Sequence, residues 1–148
     1  MRNAHNRLLY AAVGSLVLAA SCTTRADQQL GRRISAAVET SDVSRVNVSD
    51  VAAFAWDRLY IFSPYTTSAQ VEKELGFRWS ESARIEDSDS FVLLVFVDRG
   101  RVVRFIEQPR DSGDFSPCHR AGGFSRSEAV FRFTKDTSGR RRCTLGAD

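Results

Sequence analysis

Phe91-Val-Leu-Leu-Val-Phe-Val97 is apolar at every position, and no other stretch so narrows what the chain can fold into. A strand with one wet face alternates apolar and polar residues, whereas a strand without alternation has both faces covered. Asp98-Arg-Gly100 then turns the chain, with Gly100 placed where positive φ is favoured. Val102 to Ile106 returns as the partner. This hairpin is the expected backbone of an antiparallel sheet.

The remaining elements are built around it. Trp56 to Phe62 alternates, with Phe54, Trp56, Tyr60 and Phe62 on one face and Ala55, Leu59 and Ile61 on the other. Rich in β-formers, it predicts a strand, which Pro64 ends. Thr67 and Gln70 match a capping box, Val71 and Leu75 supply a buried stripe, and Gly76 can close the helix in the left-handed conformation. Residues 80–90 are polar and acidic, hence loop, and so is Gln108 to Gly123 with its prolines and glycines. Ser125 and Glu128 repeat the capping-box spacing over a segment with room for one turn. Ala129–Thr134 and Arg141–Leu145 read as strands around the turn Asp136-Thr-Ser-Gly139. The expected fold is α+β: one or two short helices packed on a four- to six-stranded antiparallel sheet.

The N-terminus has a different character. Arg2 and Arg7 precede Leu8–Ala20, a run of 13 apolar or small residues, and Ala19-Ala-Ser21 leads into Cys22. Spanning a bilayer as a helix takes ~20 apolar residues. The order of charge, short apolar stretch and small residues is that of a removable export signal. It resembles a bacterial lipoprotein signal, in which small residues precede a cysteine that is lipidated and becomes the mature N-terminus. Leu18 stands four residues before Cys22 rather than three, so ordinary cleavage after Ser21 remains the alternative. The implied division is a signal at 1–21, a flexible tether at 22–45 and a single α+β domain at 46–148. Such a tether wanders roughly 25 Å from its anchor. The implied location is the periplasmic face of a membrane in the bacterial envelope, the outer membrane favoured over the inner. A secreted or soluble periplasmic protein is the alternative.

With residues 1–21 removed, 19 basic groups face 18 acidic ones. The charge is uneven: residues 22–90 carry 8 basic and 11 acidic groups, and residues 91–148 carry 11 and 7. A basic half can meet phosphates or anionic headgroups, and the simpler reading is a solvated, arginine-rich face. If Cys22 is lipidated, Cys118 and Cys143 form an even pair in an oxidising compartment and are expected as a disulfide, stabilising by roughly 3.5 kcal/mol through loop closure. His119 beside Cys118 makes a weak metal reading, which the disulfide removes, so no metal and no cofactor is expected.

Trp56-Asp-Arg-Leu-Tyr-Ile-Phe-Ser-Pro-Tyr65, together with Leu94–Val97, Gly100 and Val102-Val103, resembles small envelope lipoproteins of uncharacterised function. Thr67-Ser-Ala-Gln-Val71-Glu-Lys-Glu-Leu75-Gly76 reproduces the helix spacing of SmpA/OmlA-type outer-membrane lipoproteins and the β-lactamase-inhibitor-like fold. The strand before that helix departs from their pattern. The resemblance implies a protein-binding or assembly role without catalysis.

The chemistry points the same way. His5 leaves with the signal, so His119 is the remaining histidine, and Gly-x-Ser-x-Gly, His-Glu-x-x-His and phosphate-loop motifs are missing. Asp57, on an otherwise apolar face, reads as a structural carboxylate paired with an arginine. Pro64, Tyr65, Trp79 and Arg110 form the candidate binding surface, since interfaces favour aromatics and arginine. The expected function is that of a lipid-anchored, non-catalytic envelope protein that binds protein or an anionic envelope polymer. A small periplasmic inhibitor or hydrolase acting on envelope substrates is the alternative. Nucleic acid is not an expected partner.

Overall fold

The computed structural model describes residues 25–40 and 43–145, so the segment expected as an export signal and Cys22, the expected lipidation site, lie outside the described residues. In chain order the elements are helix α1 (Arg25–Glu39), strand β1 (Val43–Asn47), the single-turn helix α2 (Val48–Val51), β2 (Arg58–Phe62), α3 (Ser68–Leu75), β3 (Phe91–Asp98), β4 (Arg101–Pro109), β5 (Phe124–Ser125), β6 (Val130–Lys135) and β7 (Arg141–Thr144). The fold is α+β. The strands divide between two antiparallel sheets, one ordered β4-β3-β2-β5 and the other β1-β6-β7, where a single sheet was expected.

β3 lies inside the larger sheet with Val92 through Val97 all buried, as its unbroken apolar run requires. Its two faces feed two cores. Tyr60, Phe62, Leu93, Val95 and Val97 pack under α3 with Val71, Leu75 and Ile85. Leu59, Ile61, Val92, Leu94, Phe96 and Ile106 pack against α1 and the smaller sheet, whose inner face brings Val46, Phe131, Phe133 and Cys143. Phe115 wedges between them, edge-on to Phe131 and Phe133 at 5.4 and 4.8 Å.

Local signals account for the elements. Thr67 and Gln70 form the capping box and Gly76 closes α3 at φ 81°. The β3–β4 turn places Arg99 at φ 49° and Gly100 at φ 73°, the left-handed pair that a two-residue hairpin turn requires. Asp57 accepts a hydrogen bond from the Arg99 backbone N–H at 2.9 Å, so its partner is the hairpin turn itself rather than an arginine side chain. Ser125 and Glu128 form only half of a capping box: Ser125 N donates to the Glu128 carboxylate at 2.9 Å and its hydroxyl at 2.7 Å, while Glu128 N–H donates to the Ser125 carbonyl at 3.1 Å, so they close a turn and no helix follows.

The expected tether over 22–45 needs correction. Residues 25–39 form α1, and β1 begins at Val43. Leu30, Ile34 and Val38, four residues apart, are buried in the core, and such a stripe holds an otherwise polar helix against a sheet. Among the described residues the folded body extends back to Arg25, well before Val46. Cys118 and Cys143 are disulfide-bonded, both buried, and tie the loop after β4 to the edge strand β7.

Candidate binding site

The buried stripe of α1 leaves Gln28, Arg32, Ala36 and Glu39 on its exposed side. The helix runs alongside β4 in the same direction. Arg104 approaches Asp27 at 3.5 Å, Gln108 donates from Nε2 to the Ser35 hydroxyl at 2.9 Å, and Gly113 beyond the strand meets Val38. A Cβ at Gly113, where φ is 127°, would stand 2.9 Å from Val38 Cγ1, so the absence of a side chain there lets the helix seat. Between helix and strand lies an open groove of about 700 Å³, within the usual range for ligand clefts. Gly31, Arg32 and Ala36 form one wall, and Ile106, Glu107 and Pro109 the other.

β4 is the outer strand of its sheet over nine residues. The bond from Arg110 N to Ser90 O at 3.1 Å sets the phase of the β3–β4 ladder. Counting back along the register, Gln108, Ile106 and Arg104 exchange bonds with β3, while Pro109, Glu107 and Phe105 turn their backbone groups outward. The N–H and C=O of Phe105 and Glu107 have no hydrogen-bond partner among the described residues, whereas the Pro109 carbonyl is taken up by the 3-10 turn over Arg110–Ser112. An unpaired row of this kind is a template for another strand. Gln108, fully buried beneath the helix, has its Oε1 without a partner.

The groove ends at a charged knot. Arg110 donates to the Asp89 carbonyl and to Asp114, each at 3.0 Å, and Ser116 N donates to Asp114 at 2.9 Å. Burial of Asp114 pushes its carboxyl up, but the hydrogen bonds from Arg110 and Ser116 outweigh it, and its pKa falls below the ordinary value.

The four residues expected as a binding surface occupy separate settings. Tyr65 is 62% exposed at φ 64°, beside the half-buried Pro64. Trp79 is half-buried, edge-on to Phe105 at 5.2 Å. Arg110 is held in the charged knot. No hydrogen bond or ring contact among the described residues joins Tyr65, Trp79 and Arg110. His119 Nε2 lies 3.0 and 3.2 Å from the two carboxylate oxygens of Glu74, and no hydroxyl is hydrogen-bonded to the ring among the described residues. Among those residues there is also no group of three metal-ligating side chains and no helix long and apolar enough to cross a membrane.

Compared with protein-family models, curated proteins and solved structures, the chain matches none. The groove residues Ala36, Ile106, Glu107 and Pro109 escaped the sequence reading because what they offer is backbone. One signal was there: a proline closing a returning strand marks an edge.

Proposed function

We propose that this chain is a non-catalytic binding protein of the bacterial envelope, anchored by lipid at Cys22, which captures an extended segment of a partner protein along β4. The observation that carries the reading is the pair of residues with unpaired backbone groups, Phe105 and Glu107, beside a groove of about 700 Å³. A strand laid there exchanges main-chain bonds with Phe105 and Glu107. Its alternate side chains enter the space between Ala36 and Ile106, the recognition mode called β-augmentation. The lipoprotein-like leader places the capture at a membrane surface.

A photo-crosslinking side chain at Ala36, in whole envelopes, tests the reading. Glu107→Ala keeps the outward N–H and is expected to keep the crosslinked partner. Glu107→Pro removes that N–H and is expected to lose it. Repeated failure to trap any partner, or equal trapping by both variants, contradicts the proposal.

A second reading, a small hydrolase or inhibitor, draws on the His119–Glu74 pair, a base with its orienting carboxylate. Loss of an envelope-hydrolytic activity in His119→Ala, with partner capture intact, would favour it.

A further inference from the structure

The outward face of the smaller sheet has no acidic residue on its strands. Side chains alternate across a strand, and Phe131, Phe133, Val46 and Cys143 take the inner positions, so Arg45, Arg132 and Arg142 point to solvent with Thr144. The register sets Arg45 directly opposite Arg132, and Arg132 opposite Thr144. Thr134 stands opposite Arg142 in the next row.

Like charges in directly opposed positions destabilise a sheet, and a guanidinium cannot shed its proton to relieve the repulsion. Several other arginines are matched: Arg84 to Glu81 and Glu107, Arg110 to Asp114, and Arg120 to Glu128 and the Phe124 ring. Arg45 and Arg132 have no acidic partner among the described residues, and Arg142 reaches Asp114 only at 4.0 Å. The repulsion is relieved when an anion meets both side chains together.

We infer that this face docks on an anionic phospholipid surface, with Arg45, Arg132 and Arg142 each meeting headgroup phosphates. The arginines stand on one side of one sheet without groove walls, which suits a plane of charges better than a single threaded polymer. The interaction is electrostatic and weakens with salt. It does not rest on the β4 groove, none of whose lining residues belongs to this sheet.

The test is sedimentation of the full chain with phosphatidylcholine vesicles, with and without phosphatidylglycerol. The leader, with Arg2 and Arg7, is the same in the parent and both variants, so its contribution cancels in the comparison between them. The added binding that phosphatidylglycerol confers is expected to fall roughly 30-fold in Arg45→Gln/Arg132→Gln, from the usual contribution of a basic side chain at an anionic surface. Arg99→Gln/Arg101→Gln, the same charge change at the tip of the β3–β4 hairpin, is expected to leave it within about twofold. The thermal midpoint of Arg45→Gln/Arg132→Gln should equal or exceed that of the parent, since a repulsion is removed. An undiminished phosphatidylglycerol preference in that variant overturns the inference. So does an equal loss in the hairpin-tip control.

Discussion

The two edges of the four-stranded sheet are finished in opposite ways. At one edge β5 is two residues long and pairs with Arg58 and Leu59 of β2. The chain enters it through Gly123, where a Cβ would stand 2.6 Å from the Leu59 carbonyl at φ 66°. Ser125 is clamped to Glu128, and Arg120 lies over the Phe124 ring at 4.2 Å. This edge is short, covered and tied down, the usual defence against unwanted pairing. At the other edge β4 runs nine residues with alternate backbone groups unpaired beside a groove. The fold closes one edge and leaves the longer one open, and the binding role proposed above belongs to the open one.

Changes at the closed edge should therefore cost stability, and changes at the open edge should cost binding. The largest stability effect is expected from Cys118→Ser/Cys143→Ser, which frees the loop leading to β5. It should lower unfolding free energy by about 3.5 kcal/mol in urea titrations. Within β4 the outcome should depend on parity. Relative to Ile106→Ala, Ile106→Pro removes a ladder N–H and should cost about 3 kcal/mol more, whereas Glu107→Pro removes an outward one and should cost about 1 kcal/mol or less relative to Glu107→Ala. Equal costs would show that the assigned ladder phase is wrong. Gly123→Ala should cost about 2 kcal/mol, because the new methyl meets backbone in a left-handed conformation. Its effect on partner capture should be small.

The smallest effect concerns acid. Hydrogen bonds from the Ser125 hydroxyl and backbone N–H, then one from Arg120, lower Glu128 from the usual 4.5 to about 2. A depressed carboxyl contributes stability that is fully present above its unfolded value and disappears as pH falls through the folded one. The contribution should accordingly fade between pH 4.5 and about 2. A carbon-detected titration should place the Glu128 midpoint near 2 and return it toward 4.5 in Ser125→Ala.

Much of this architecture was legible in the sequence. The unbroken run of β3, the turn at Arg99-Gly100, the capping box of α3 and the Cys118–Cys143 pair each follow from a strong local rule. What was missed depends on placement. α1 carries only Leu30, Ile34 and Val38 as large apolar residues among arginine, glutamine and serine, so composition read as tether while the four-residue spacing signalled a helix. The split into two sheets follows from β1 pairing with β6, strands separated by most of the chain. Which edge of the larger sheet stays open follows from the order β4-β3-β2-β5, and free backbone groups leave no signature in side chains. Tyr65 and Arg110 drew attention as residue types, yet Arg110 is engaged in holding Asp114.

Residue-resolved hydrogen exchange on the isolated chain tests the open edge most directly. The account predicts slow exchange at Arg104, Ile106 and Gln108 and fast exchange at Phe105 and Glu107. Slow exchange at Phe105 and Glu107 in the isolated chain would mean that the edge is already closed, and the binding role assigned to β4 would fall with it.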